Sequence, residues 1–146
     1  MTTSPNNNVE LLINKMRFLW LGGLGSLVGF LVLTFFTARP EDAEPNDTLF
    51  LILLAAGLTA TLASFVVKKK FLAKAEEQQQ VQLVQQGFMM AMTINEVAAL
   101  LGVFDYFSTG DRFYYVLFII AAGGQLLHYP RREPFLHATF KSSTAI

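Results

Sequence analysis

Residues 85–102 read QQGFMMAMTINEVAALLG. After its leading glutamines this run is almost wholly apolar, yet near its middle it carries one carboxylic acid, Glu96, with Asn95 beside it. An ionisable group at bilayer depth is costly and marks, by default, a site or an interhelical contact. Whether the run crosses a membrane therefore decides both the fold and where the chemistry lies.

The surrounding sequence answers in favour of a membrane. Upstream, residues 48–67 and 18–38 form two further runs without a charge, each long enough for about 30 Å of hydrocarbon. Between them lies Arg39-Pro-Glu-Asp-Ala-Glu-Pro-Asn-Asp47, an acidic loop broken by prolines that cannot remain in lipid. Lys68, Lys69, Lys70 and Lys74 end the second run and lead into a polar, helix-prone linker over 76–80. Downstream, Asp105 and Ser-Thr-Gly-Asp at 108–111 read as a turn. A fourth apolar run then starts at Phe113 and is stopped by Pro130-Arg131-Arg132-Glu133-Pro134. This run is short for a crossing and needs either His128 and Tyr129 or a locally thinned bilayer.

The expected fold is an all-α membrane protein with four transmembrane helices in an up-down bundle. Its spans cover about 18–38, 48–67, 84–104 and 113–129, within a transmembrane domain of residues 15–130. Residues 1–14 read as a polar tail, disordered or interfacial, and 131–146 as a cytoplasmic tail. With both termini cytoplasmic, nine of the 11 Lys and Arg residues fall inside, leaving only Arg39 and Arg112 outside. That bias follows the positive-inside rule. Trp20 and Tyr129 then sit at the inner interface, and Tyr106, Tyr114 and Tyr115 at the outer one.

Composition excludes several functions. A net charge of zero gives no basic footprint for nucleic acid. The absence of cysteine removes disulfides, Cys-ligated zinc and thiol catalysis. No nucleotide-binding loop, nucleophile elbow or catalytic carboxylate pair occurs, so neither an enzyme nor a cofactor is expected. The two histidines, His128 and His137, have no carboxylate at ligand spacing, and no metal site is expected. His128 reads as an interfacial residue one turn from Gln125.

The candidate site residues are Glu96, Asn95 and Thr93, forming an ion site or an interhelical hydrogen bond. Lipid cannot solvate a carboxylate, so Glu96 is expected to be protonated, hydrogen-bonded within the bundle, or beside water. Helical spacing puts Thr93 and Ala99 on the Glu96 face, and puts Asn95 on a neighbouring stripe with Ala91, Ala98 and Gly102. Small residues permit close helix approach. Gly22, Gly25, Ser26 and Gly29 of span one form such a set, with Ala56, Ala60 and Ser64 in span two, Ala99 and Gly102 in span three, and Gly123 in span four.

Around Glu96 the sequence EVAALLG resembles the ion-carrying helix of the proteolipid (c-type) subunits of rotary ATPases. Glu96, Ala99 and Gly102 match that pattern, while Val97 stands where alanine is usual. The resemblance implies that Glu96 is an ion-binding carboxylate. It covers about twenty residues; the glycine repeat lies in span one rather than span two, and neither span two nor span four carries an acid. The whole chain is also similar to a set of small bacterial four-span membrane proteins, through Arg17 and Trp20, the span-three glutamate, and His128, Pro130 and Arg131. That similarity implies a multi-pass protein of a bacterial inner (plasma) membrane.

Two functions are expected. One is a non-enzymatic accessory or structural subunit whose partners are the lipid bilayer and either other transmembrane subunits or further copies of itself. The alternative is a proton- or cation-handling, c-like subunit working through Glu96.

Overall fold

The computed structural model describes residues 5–39, 44–109 and 112–139. Residues 1–4 of the expected tail, 40–43 of the acidic loop, 110–111 of the turn and 140–146, with Lys141, lie outside them. All regular structure among the described residues is helical: α1 (Pro5–Phe36), α2 (Asp47–Gln78), α3 (Val81–Ser108), α4 (Tyr115–Leu127) and α5 (Glu133–Thr139).

Three of these, α1, α2 and α3, are long and apolar enough to cross a membrane. The fourth apolar run yields only 13 helical residues in α4, a rise of about 20 Å. α2 spans 32 residues, about 48 Å. Its uncharged run 48–67 alone matches a hydrocarbon thickness of about 30 Å, and the helix from Lys68 onward projects past it.

Local sequence explains the helix ends. Asn46 caps α2 by accepting the Leu49 amide at 3.0 Å, and Asp47 sits in the first turn, where the helix dipole favours an acid. The polar linker stays helical to Gln78, and Gln79 then takes a left-handed conformation with φ of 52°. Gln80 turns the chain directly into α3. Gln79 recovers part of the strain of a non-glycine left-handed residue, because its amide donates to the Glu76 carbonyl at 2.7 Å. At the far end α3 runs one turn beyond the expected stop. Asp105, read as a turn residue, is instead buried, and it accepts the Thr109 hydroxyl at 2.8 Å.

Contacts at the two ends fix the helix directions. Val9, Ile13 and Met16 from the start of α1 pack with Ala75 from the end of α2, Val84 and Phe88 from the start of α3, and Phe135 of α5. At the opposite end the Tyr106 hydroxyl of α3 donates to the Thr37 carbonyl at 2.9 Å, and Phe50 of α2 lies 6.2 Å from Phe113 just before α4. Successive helices from α1 to α4 thus alternate in direction. α3 is the centre of the fold and packs against all four others, whereas among the described residues the backbones of α1 and α2 do not approach each other, and the two helices share only the side-chain cluster at the start of α1 and the end of α2.

The segment of residues 5–14 forms the first turns of α1, and 133–139 of the expected tail fold as α5. Phe135 and Ala138 are buried there, with the Phe135 ring stacked 5.9 Å from Phe88. An exposed ion pair between Glu10 and Arg132 at 2.9 Å links the same two segments.

The outer faces remain hydrocarbon. Phe18, Phe35 and Phe36 of α1, Leu51 and Leu62 of α2, and Ile119 and Leu127 of α4 are all exposed. Helices that are apolar all round belong in a large core or a lipid phase rather than on a water-facing bundle.

Candidate functional site

Several polar side chains of the apolar runs gather in two adjoining clusters, one on each side of α3. The first lies where α3 meets α1 and α4. α1 brings Gly23 and Ser26, one turn apart, to the face of α3 that carries Glu96. The Ser26 hydroxyl stands 2.8 Å from the Gly23 carbonyl and 3.0 Å from Glu96 Oε1. It has one proton, so as a donor it serves one of these oxygens at a time.

Gln125 of α4 approaches the same point. A side chain on residue 23 would collide with Gln125 Nε2 and come within 3.3 Å of Glu96 Oε1, so glycine is what lets the amide and the acid draw together. Gln125 is wholly buried, and neither atom of its amide has a hydrogen-bond partner among the described residues. Its backbone carbonyl accepts the Trp20 indole N–H at 2.6 Å. Trp20 in turn sits edge-on to Tyr129, with the Arg17 guanidinium 5.6 Å from the same tyrosine ring. The expected interfacial anchors are therefore tied to the cluster by a hydrogen bond.

Glu96 itself is half-buried. It faces a cleft of about 160 Å³ between α1 and α3, lined also by Leu19, Met89, Met92 and the exposed Thr93. Asn95, although adjacent in sequence, points to the other side of α3.

That side holds the second cluster, between α2, α3 and α4. The Asn95 amide donates to the Ala121 carbonyl at 2.7 Å, and its Oδ1 occupies the space that a side chain on Gly124 would need. Thr61 closes this contact from α2. One turn on, the Ser64 hydroxyl lies 2.6 Å from the Thr61 carbonyl and 2.7 Å from His128 Nε2. The His128 ring lies 4.4 Å from the Phe65 ring, tilted by 33°. His128 is wholly buried rather than interfacial: α4 ends in a tight turn that folds the ring back between α2 and α4. Thr61 Oγ1, Asn95 Oδ1 and His128 Nδ1 have no partner among the described residues. Unsatisfied buried polar atoms usually mark ordered water or a functional role.

The small residues divide by environment. Ser64, Ala99 and Gly102 are buried, and Gly102 has the Phe118 ring 3.0 Å from where a Cβ would stand. Ser26 and Ala60 are half-buried. Gly22, Gly25, Gly29, Ala56 and Gly123 are exposed, and the four glycines have nothing among the described residues within 4 Å of an added Cβ. The glycines that do permit close packing are Gly23, Gly57, Gly87, Gly102 and Gly124. Sequence reasoning passed over Thr61, one of several hydroxyl residues in its apolar run, and underrated Gln125, the one amide in its own.

At the polar end of α2, Lys68 stands 4.4 Å over the Phe88 ring. Burial, and then the nearby Arg131, push its pKa down to about 8. Among the described residues no three His, Cys, Asp or Glu side chains come together as a metal site would require. Comparison with known proteins finds no family model, no curated protein and no solved structure that matches the chain.

Proposed function

We propose that this protein is a non-enzymatic integral membrane protein, a four-span subunit that docks into a larger membrane assembly through α1. The observation that carries this reading is the open glycine face of Gly22, Gly25 and Gly29. The bundle's own helices pack through other glycines, so this stripe is left over from the internal packing. In lipid a groove of backbone with no partner gains little, whereas a second helix seated against it gains close van der Waals contact. The exposed apolar surface and the three membrane-length helices support insertion, with the short α4 completed by its flanking residues. The distribution of Lys and Arg supports cytoplasmic termini.

The test is the native mass of the full chain taken gently from its membrane into nanodiscs. The wild type is expected as a homo-oligomer or with other chains at fixed stoichiometry, and Gly25→Leu with Gly29→Leu as the isolated protein. A wild type that is a bare monomer in nanodiscs and in the membrane sinks the proposal.

A second reading, proton or cation handling at Glu96, is favoured by the hydrogen bonding around Ser26. The Ser26 hydroxyl lies within donor distance of both Glu96 Oε1 and the Gly23 carbonyl, and the unpartnered Gln125 amide stands beside them. Glu96→Gln separates the two: an amide keeps the hydrogen bond, whereas proton or ion flux into proteoliposomes is abolished. Flux at the wild-type rate in that variant ends the second reading.

A further inference from the structure

Between the projecting end of α2 and α5 lies a groove of about 490 Å³. One wall is apolar, built from Phe65, Leu72, Ala73 and Pro134. Lys68 and Lys69 line it too, directly after the uncharged run 48–67 to which Phe65 belongs. The groove therefore straddles the level at which a membrane helix leaves hydrocarbon for headgroups.

Its cations lack counter-ions. Lys68 rests on the Phe88 ring and is close enough to Arg131 to be disfavoured by it. Among the described residues none of Lys68, Lys69 and Arg131 is in an ion pair; the two pairs present join Arg132 to Glu10 and His137 to Glu76. Two acids also line the groove. Glu76 lies eight residues beyond Lys68, about 12 Å farther along the helix and facing His137, and Glu133 opens α5. At the membrane edge two lysines, with Arg131 near Lys68, thus stand beside an apolar wall, an arrangement that lacks only an anion with a hydrocarbon tail.

We propose that this groove is a binding site for one anionic phospholipid, its phosphate held by Lys68 and Lys69 and its upper acyl carbons laid along Phe65 and Leu72. The proposal rests on the bilayer placement above but not on the assembly reading. A freely dissolved anion would use the lysines and leave the apolar wall unused. Basic pockets between membrane helices on the cytoplasmic side suit this chemistry, and the groove volume is in the range of small-ligand sites.

The experiment is native mass spectrometry of the delipidated full chain titrated with phosphatidylglycerol or phosphatidylcholine. One phosphatidylglycerol should bind saturably per chain, phosphatidylcholine at least about tenfold more weakly, and Lys68→Gln with Lys69→Gln should weaken phosphatidylglycerol about tenfold. Lys70→Gln with Lys74→Gln, equal in charge change but outside the groove, should bind as the wild type does. Because Lys68 packs on Phe88, Lys69→Gln alone, at an exposed position, gives the same direction if the double variant does not fold. Equal loss in both lysine pairs, equal binding of the two lipids, or displacement of the lipid by inorganic phosphate overturns the site. Release of the protein from membranes by alkaline carbonate instead overturns the bilayer placement itself.

Discussion

Gly123 and Gly124 are neighbours in α4 with opposite surroundings, and replacing each by alanine tests the polar interior directly. Alanine is favoured over glycine in a helix by about 1 kcal/mol, and this gain is common to both positions. At 123 an added Cβ meets nothing within 4 Å among the described residues, so the gain should stand alone. At 124 the Cβ collides with Asn95 Oδ1 and comes 2.9 Å from Thr61 Cγ2. Both belong to buried residues, and Asn95 is held by its 2.7 Å bond to the Ala121 carbonyl. Overpacking typically costs about 1–3 kcal/mol, and displacing Asn95 from its acceptor a further ~1 kcal/mol. The propensity term cancels between the variants, so Gly124→Ala should be roughly 2–4 kcal/mol less stable than Gly123→Ala.

Unfolding in mixed micelles of rising sodium dodecyl sulfate content can be followed through Trp20, the sole tryptophan, which sits beside this cluster. Repeating Gly124→Ala in an Asn95→Ala background closes a double-mutant cycle. Its cost should shrink there without vanishing, because the Thr61 methyl remains. Equal stability of the two alanine variants, or a cost at 124 indifferent to Asn95, would refute the packing described here.

Trp20→Phe keeps an aromatic ring against Tyr129 but removes the donor to the Gln125 carbonyl, and should cost about 0.5–1.5 kcal/mol by circular dichroism; no loss would mean that the indole bond does not hold α1 to α4. The pKa of Lys68 is depressed to about 8 in the folded protein from an ordinary 10.5, among Lys69, Arg131, Glu76, Glu133 and His137. The unfolded chain therefore binds more protons between these values, and this lysine makes stability rise with pH across that window. Lys68→Met should flatten the rise between about pH 8 and 10.5, and an unchanged slope would show that Lys68 is not its source.

The length of the apolar runs and the acid inside one of them were legible in the sequence because both are one-dimensional properties. The stripe of Ala91, Asn95, Ala98 and Gly102 follows from helical periodicity, and it is the stripe that α3 buries. His128 and Gln125 were not legible in the same way. On a helix apolar on every side, hydrophobic periodicity no longer says which direction is inward, so a polar residue near the end reads equally as interfacial or buried. Asp105 misleads for a related reason: an acid beside Ser, Thr and Gly signals a turn, whereas here a Thr109 hydroxyl makes burial tolerable within the last helical turn. The seven-residue α5 is too short to announce itself and is held by Phe135 docking on Phe88, a contact between residues 47 positions apart.

Glycine shows the limit most sharply. Gly22 and Gly23 are adjacent, yet the first meets nothing and the second admits Gln125 beside Glu96. Spacing alone favours the G-x-x-x-G pair at 25 and 29, but the bundle closes through Gly23, Gly57, Gly87, Gly102 and Gly124, which form no single repeat. The reason is geometric. A small residue allows another helix to approach, but whether a helix arrives depends on how the connections place it, and the two-residue link at Gln79 and Gln80 commits α2 to α3 rather than to α1. α1 is consequently held on one side only, by α3, α4 and α5. A repeat suited to helix packing on the exposed face of α1, the least buried of the three long helices, is hard to account for by the chain's own folding, and that mismatch between capacity and occupancy is the physical argument for a second helix from elsewhere.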